Sequence, residues 1–218
     1  MVRLRYQCAV IGYPFHFKML CSEIERSLEK SSLSSFGLRV SIGLDGTIEC
    51  QVRELPSRNP MSASTGLWQK HPQGWDDIKH SQRDRWTTVQ RNQGTDEIVW
   101  IDSDSYLVEC INGNVFCWEE DILSTPKIDG RLLSGIMRVA VLVLANEFHL
   151  RTVISDIRYS QSSELFFTSS LRGFVPLRIE GHGSSDDFKD FSDRLWSAML
   201  NEAFQHRVYE AFTSQSWR

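Results

Sequence analysis

The stretch EIVWIDSDSYLVECINGNVFCW, residues 97–118, decides the fold of this chain. It contains three short apolar runs, Ile98 to Asp102, Tyr106 to Glu109 and Asn114 to Trp118, which are separated by Asp, Ser, Asn and Gly. β-branched and aromatic residues between turn-forming residues indicate strands. We therefore predict three short strands that follow one another along the chain.

The pattern on either side of this stretch alternates between strands and helices. The clearest helix is predicted over Ile136 to Phe148, because the run is mostly apolar and begins directly after Gly135. Strands adjacent in sequence, with helices between groups of strands, predict an α+β fold. The remaining elements predicted after residue 80 are a helix at Asp84 to Gln90 that ends by Gly94, short strands at Ile122-Leu123, Thr152 to Ile157, Glu164 to Thr168 and Val175 to Ile179, and one amphipathic helix over Phe188 to Ala211.

The first part of the chain forms a separate group of elements. Tyr6 to Lys30 predicts two helices, the first ending near Gly12-Tyr13-Pro14. Leu38 to Ile42 and Thr47 to Val52 predict a hairpin, because Asp45-Gly46 between them is a typical turn pair. Arg58 to Thr65 is polar and contains Pro60, so we place the domain junction here, with domains at 1–58 and 59–218.

Composition excludes several classes of protein. The chain has 218 residues and a formal net charge of −4, which argues against nucleic-acid binding. Val139 to Ala145 is far too short an apolar run to cross a membrane, and Tyr6, Gln7 and Pro14 interrupt the run that would form a signal peptide. The five cysteines form no metal-ligand spacing, so we expect reduced thiols, no metal site and a cytoplasmic location.

Four motifs carry candidate chemistry, although each alone has an ordinary explanation. Lys79, in a stretch that offers partial burial, is a candidate nucleophile or a solvated lysine. Glu109 is a candidate buried acid or a surface carboxylate at a strand end. The helix start at Ser134 to Arg138 is a candidate anion site or a plain glycine-led start. The stretch Thr168-Ser169-Ser170 supplies hydroxyl donors or forms only a polar turn.

The order of these motifs resembles the class IV aminotransferase family, also called fold type IV. Lys79 is followed by the acid strand, by Asn114-Val115-Phe116, by Gly135-Ile136-Met137-Arg138 and by Thr168 to Pro176. Branches of the family include branched-chain aminotransferases, D-amino-acid aminotransferases and 4-amino-4-deoxychorismate lyases. Ile78-Lys79-His80-Ser81-Gln82-Arg83 is most similar to the lyase branch. The resemblance implies a pyridoxal 5'-phosphate cofactor and a partial small N-terminal α/β domain before a larger, β-barrel-like α+β domain.

The resemblance also implies roles for individual residues. Lys79 is expected to hold the cofactor aldehyde as a Schiff base and to move protons at the substrate α-carbon, and Glu109 is expected to pair with the pyridine nitrogen. Asn114 is expected to tie loop backbone. The phosphate is expected to contact the amides of Ile136 and Met137, the hydroxyls of Ser169 and Ser170, and the side chain of Arg3. The candidate substrate contacts are Leu171, Arg172 and His80.

Three functions remain open on the sequence. The first is elimination of pyruvate from aminodeoxychorismate to give 4-aminobenzoate for folate synthesis, and the second is amino-group transfer on branched-chain or D-amino acids. The third is a non-catalytic relative, because the resemblance starts at Arg3. Family members have passed the first strands of the small domain by that point, so we expect those strands to be missing here. Relatives are typically dimers, and a homodimer is therefore expected.

Overall fold

The computed structural model describes residues 2–33, 35–80, 84–159, 164–180 and 189–214. It divides into two compact units, Met1–Ser57 and Arg58–Arg218.

The N-terminal unit contains the two helices and the hairpin that the sequence predicts. Helices α1 (Val2–Ile11) and α2 (Phe17–Glu29) are followed by the antiparallel strands β1 (Gly37–Ile42) and β2 (Ile48–Arg53). The turn between the strands is held by Asp45, whose Oδ1 accepts a hydrogen bond from Thr47 N at 3.0 Å. Gly46 has a φ of +84°, which explains why glycine stands there.

The C-terminal unit is an eight-stranded sheet with helices around it. The strand order is β5-β4-β3-β10-β9-β6-β7-β8, with parallel pairs at β4–β3, β3–β10 and β7–β8. The elements are β3 (Met61–Leu67), α3 (Asp84–Gln93), β4 (Glu97–Ile101), β5 (Leu107–Cys110), β6 (Asn114–Glu119), β7 (Ile122–Pro126), α4 (Ile136–Glu147), β8 (Arg151–Ser155), β9 (Glu164–Ser169), β10 (Gly173–Ile179), α5 (Lys189–Met199) and α6 (Glu202–Ser214).

The two edges of this sheet meet, so the sheet closes into a barrel. The chain that follows β8 runs beside the start of β5, where Tyr106 and Arg158 form an antiparallel bridge. Leu107 N donates to Ile157 O at 2.8 Å, and Tyr159 N donates to Ser105 O at 2.8 Å. These contacts pair the start of β5 with the segment that follows β8, as closure of a barrel requires. The β-barrel-like α+β architecture predicted from the resemblance is therefore confirmed.

Alternate residues along the strands serve two different cores. On β6, Val115 and Cys117 belong to the cluster on one face of the sheet, whereas Phe116 belongs to the cluster on the other face. Helix α4 covers the face with Phe116 and is buried along most of its length, from Met137 to Ala145. This all-round burial explains why its sequence is nearly uniformly apolar. The helix is consequently fixed against the sheet, and so is its first turn.

Two elements differ from the sequence prediction. The polar stretch assigned to a domain junction contains β3, a central strand of the sheet, in which only Met61 and Ala63 are deeply buried. The single helix predicted over residues 188–211 is two helices within its described part. The break falls at Leu200-Asn201, where Asn201 Oδ1 accepts from Phe204 N at 3.1 Å and caps the start of α6.

Three observations concern the helices, the cysteines and the potential metal ligands of the described residues. None of their helices is long and apolar enough to cross a membrane. All five cysteines are free. No group of His, Cys, Asp and Glu in the described part of the chain has the arrangement of a metal site.

Candidate active site

Glu109 lies at an irregularity in β5. Between the pairs Val99↔Cys110 and Ile101↔Leu107, β4 advances by two residues while β5 advances by three, so β5 carries one extra residue. A bulge of this kind changes the direction of side chains and is common beside active sites. Glu109 is 9% exposed. The acid is therefore placed by a local change in strand geometry, which alternation of residue types does not predict.

A hydrogen bond connects Glu109 to the segment that leads into α4. Leu133 N donates to Glu109 Oε2 at 3.0 Å, and Leu133 O accepts from Asn114 Nδ2 at 2.8 Å. A Cβ on Gly135 would lie 2.1 Å from Asn114 Oδ1, so this close approach requires glycine. Asn114 is thus structural, as predicted. We call Glu109, turn residues 111–113, Asn114 and residues 133–137 the acid edge.

The start of α4 has the properties of an anion site. Its first helical bond runs from Val139 N to Gly135 O, at 3.3 Å, so the amides of Ile136 and Met137 precede the hydrogen-bonded ladder. Arg138, which is 0% exposed, donates to Thr125 Oγ1 at 3.3 Å and to Pro126 O at 3.0 Å. Burial lowers the pKa of Arg138 to about 10, so it remains a cation at neutral pH. The N-terminus of a helix favours an anion.

The serine hairpin between β9 and β10 lies against the acid edge. Asn114 pairs with Thr168 in the sheet, and a Cβ on Gly113 would lie 2.3 Å from Thr168 O. Ser169, the last residue of β9, accepts a hydrogen bond from Arg172 N on its Oγ at 3.3 Å. The hairpin also places Ser170, which is exposed, and Leu171, which is partly buried. The structure therefore brings Glu109, the start of α4 and this hairpin to one end of the barrel.

Lys79 lies on the connection between β3 and α3. We call residues 68–80 the lysine segment. Its turns are held by His71, whose N–H donates to Asp76 Oδ1 at 2.8 Å, and by ring contacts of His71 with Trp75 at 5.6 Å and His80 at 4.6 Å. Ile78 is 6% exposed, whereas Lys79 is exposed, so the partial burial expected around this amine applies to its neighbour. Its assignment as the cofactor lysine stays a prediction.

Arg3 belongs to the other unit of the chain. It lies in α1 and is partly exposed. Its role as a phosphate contact stays a prediction. Ser81, Gln82 and Arg83, which contributed to the likeness with the lyase branch, lie outside the described residues.

Sequence reasoning missed one buried acid, Glu97, at the start of β4. Its side chain is 0% exposed, and burial raises its pKa to about 7. Ile98 N donates to Glu97 Oε1 at 3.0 Å, and Asn112 Nδ2 donates to Glu97 Oε2 at 3.2 Å. An acid at a strand start is usually solvated, so no pattern of residue types marks this one as buried.

Comparison with known proteins identifies the family. The sequence profile described as "Amino-transferase class IV" matches residues 1–179. This chain belongs to the class IV aminotransferase family, whose members are pyridoxal-phosphate-dependent aminotransferases and lyases.

Curated relatives match only a segment of the chain. A Pseudomonas aeruginosa branched-chain-amino-acid aminotransferase is 30% identical over 88 residues, which are 39% of this chain and 28% of that protein. A Methanocaldococcus jannaschii protein provisionally described as a branched-chain-amino-acid aminotransferase is 31% identical over 98 residues, 43% of this chain and 34% of that one. The match thus spans about a third of the length of these relatives.

Solved structures share the fold across nearly the whole chain. The Thermoproteus uzoniensis branched-chain aminotransferase with norvaline has a TM-score of 0.76 at 17% identity, covering 93% of this chain and 79% of that one. A Legionella pneumophila protein provisionally described as a 4-amino-4-deoxychorismate lyase has a TM-score of 0.77 at 18% identity, covering 91% and 82%. A hypothetical Mycobacterium tuberculosis aminotransferase, with α-ketoglutarate and PMP bound, has a TM-score of 0.74 at 17% identity, covering 89% and 80%. The shared fold is compatible with either reaction.

Proposed function

We propose that this protein binds pyridoxal 5'-phosphate through Lys79 and acts on the amino group of a small substrate. One observation carries the proposal: Glu109 Oε2 accepts from Leu133 N at 3.0 Å, directly before the start of α4. This bond joins a buried carboxylate to a helix N-terminus. A ligand that carries a cationic ring nitrogen and an anionic phosphate needs these two partners.

The donor set fits such a ligand. Two glycines allow the acid edge to pack closely, because a Cβ on Gly113 would lie 2.3 Å from Thr168 O and one on Gly135 would lie 2.1 Å from Asn114 Oδ1. The amides of Ile136 and Met137 can donate to phosphate oxygens, and charge-assisted bonds of this kind are the strong ones. The hydroxyls of Ser169 and Ser170 are further donors. Lys79 carries a primary amine, which can condense with an aldehyde.

Each residue then has a defined task. When bound, pyridoxal phosphate supplies an electron sink that stabilises negative charge at the substrate α-carbon. Glu109 holds the proton on the ring nitrogen, and the acid edge fixes the distance between that nitrogen and the phosphate contacts. Lys79 anchors the ligand and moves a proton at the substrate α-carbon. Leu171 and Arg172 are the proposed substrate contacts.

For the reaction, we propose elimination of pyruvate from 4-amino-4-deoxychorismate as the first candidate. The sequence Ile78-Lys79-His80 around the lysine supports this reaction by its likeness to the lyase branch. Amino-group transfer on a branched-chain or D-amino acid is the second candidate. It is favoured by the curated relatives, which are both described as branched-chain aminotransferases.

Visible absorbance tests cofactor binding. Purified protein titrated with pyridoxal phosphate is expected to develop a visible band that Lys79→Ala abolishes. Lys70→Ala is the matched control, because Lys70 is an exposed lysine of the same segment and its loss should leave the band intact. A non-catalytic relative that does not hold the cofactor would show no band in the unaltered protein.

Product analysis separates the two reactions. Pyruvate and 4-aminobenzoate released from aminodeoxychorismate support the lyase. Glutamate formed from 2-oxoglutarate with leucine or D-alanine supports the aminotransferase. We also propose a cytoplasmic homodimer, and sedimentation at micromolar concentration tests the dimer. A monomer that still binds the cofactor would contradict it.

A further inference from the structure

A second buried carboxyl group, that of Glu97, lies beside the acid edge, and the proposed function does not use it. Glu97 is 0% exposed and lies at the start of β4, beside the strand that carries Glu109. Buried acids cost free energy unless their oxygens accept hydrogen bonds. The groups that donate hydrogen bonds to Glu97 therefore identify the part of the structure that the buried carboxyl group stabilises.

Glu97 faces the turn between β5 and β6. Asn112 Nδ2, on this turn, donates to Glu97 Oε2 at 3.2 Å, and Ile98 N, on β4 itself, donates to Oε1 at 3.0 Å. Burial raises the pKa of the Glu97 carboxyl, and the backbone N–H groups of Ile111 and Asn112 act in the opposite direction. Ile111 N donates to Ile98 O at 3.2 Å, and the turn is closed by a bond from Cys110 N to Gly113 O at 2.9 Å. The Glu97 carboxyl group thus connects β4 to the turn between Glu109 and Asn114.

Glu97 and Glu109 also share a neighbour. Cys110 lies fully buried, and burial together with the charges of Glu97 and Glu109 raises the pKa of its thiol. Cys110 directly follows Glu109 in β5, and it pairs in the sheet with Val99, two residues after Glu97. Asp96, the residue before Glu97, is instead exposed and bonded to Ser62. The positive group that acts on Asp96 is Arg172 of the serine hairpin.

We propose that Glu97 is a positioning residue, which holds turn residues 111–113 and thereby fixes the Glu109 carboxylate at the place where a ring nitrogen binds. The proposal rests on the proposed function for the role of Glu109. The structural part of the proposal, that Glu97 keeps turn residues 111–113 in place, does not depend on any cofactor.

The hydrogen-bond directions give a specific test. Above pH 7, where Glu97 is ionised, both of its oxygens accept from N–H donors, so Glu97→Gln turns one acceptor into a donor that faces another donor. Asn112→Asp supplies an acceptor at the opposite position, and the double variant restores one bond with its direction reversed. Glu119→Gln is the matched control, because Glu119 is an exposed acid at the end of β6.

Hydrogen exchange of the cofactor-free protein, followed by mass spectrometry, measures the hold on the turn. Glu97→Gln is expected to speed exchange of amides 109–114 by about tenfold, the loss of roughly one buried hydrogen bond. Asn112→Asp added to it should recover most of this protection, and Glu119→Gln should change nothing. Unchanged exchange in Glu97→Gln, or equal acceleration across residues 58–218, would overturn the proposal.

Titration with pyridoxal phosphate measures the effect on Glu109. In Glu97→Gln the dissociation constant is expected to rise about tenfold and the visible band to shift, with both restored by Asn112→Asp. An unchanged constant and band would show that Glu97 does not position Glu109. If the unaltered protein binds no pyridoxal phosphate while exchange responds as expected, the hold on the turn stands and the proposed function fails.

Discussion

The acid edge and the lysine segment are built in opposite ways. The acid edge consists of buried groups joined by hydrogen bonds, with Glu109 9% exposed and bonded to Leu133 N. The lysine segment holds its own turns through His71 and Asp76, but Lys79, the proposed cofactor lysine, is exposed. Hydrogen-bond donors that are held in a rigid structure can stabilise a charge on a bound ligand without first changing their own positions. Under the proposed function, the acid edge would hold the ligand in a fixed geometry and the lysine segment would supply the amine that reacts with it.

The largest effect expected from this difference is a dependence of stability on pH. Burial raises the pKa of Glu97 from 4.5 to about 7. The unfolded chain releases this proton first as the pH rises, so the free energy of unfolding should fall between pH 4.5 and 7. The difference between the two pKa values corresponds to about 3 kcal/mol. Urea unfolding across this range, followed by circular dichroism, measures the fall.

Glu97→Gln provides the control for the pH experiment, since it should remove the fall. Asp96 and Asp102 have lowered pKa values, so the stability they contribute is lost below about pH 4, outside this window. If the free energy of unfolding of Glu97→Gln still falls between pH 4.5 and 7, a group other than Glu97 is responsible for the fall.

Gly113→Ala tests how tightly the acid edge is packed. Its Cβ would lie 2.3 Å from Thr168 O, a backbone atom of the sheet, and 2.6 Å from the Phe167 ring. We expect a loss of about 2 kcal/mol in the free energy of unfolding. Gly74→Ala is the control in the lysine segment, because nothing lies within 4 Å and only its φ of +68° opposes alanine, at about 1 kcal/mol. Equal losses in the free energy of unfolding of the two variants would contradict the claim that the acid edge is packed more tightly than the lysine segment.

Asp76→Ala tests the lysine segment itself. Asp76 is 7% exposed and accepts from His71 N at 2.8 Å, so its removal leaves a buried N–H without this partner. We expect a loss of about 1.5 kcal/mol, with faster hydrogen exchange confined to residues 69–80. Asp77→Ala, at an exposed neighbour, should cost under about 0.5 kcal/mol. Faster exchange at residues 109–114 as well would show that the two regions are coupled.

The smallest effect is expected in the turn that precedes β5. Ser105 has a φ of +66°, the left-handed region that favours glycine. Ser105→Gly is therefore expected to raise the free energy of unfolding by up to about 1 kcal/mol without changing cofactor binding. Ser103→Gly, at an exposed position of the same turn, is expected to give no gain. A gain at Ser103 as large as at Ser105 would contradict the backbone explanation.

Local patterns in the sequence predicted most of the fold. The apolar runs of β4 to β6 and the apolar length of α4 follow from short-range preferences, which one sequence displays. Strand β3 was missed because Met61–Leu67 contains mainly small and polar residues. Its place in the sheet depends on parallel partners β4 and β10, which are distant in sequence. The break at Asn201 depends on a capping bond, which a hydrophobic period does not show.

The candidate site was predicted by motif order, and its physical basis was not. Glu109, Asn114 and the start of α4 were named from the resemblance of their motif order to the family, but the extra residue in β5 that places Glu109 depends on register. Glu97 was missed because its burial depends on a turn that folds over it. Exposure of Lys79 likewise depends on the path of residues 68–80, which contains few periodic signals.

Reductive trapping tests the central claim most directly. The protein is incubated with pyridoxal phosphate, reduced with borohydride and digested, and the labelled peptide is identified by mass spectrometry. Our account predicts one stable label on Lys79, reduced in yield by Gly113→Ala and retained in Lys70→Ala. A label on Lys70, or one distributed over several lysines and insensitive to Gly113→Ala, would contradict the claim that Lys79 and the acid edge form one cofactor site.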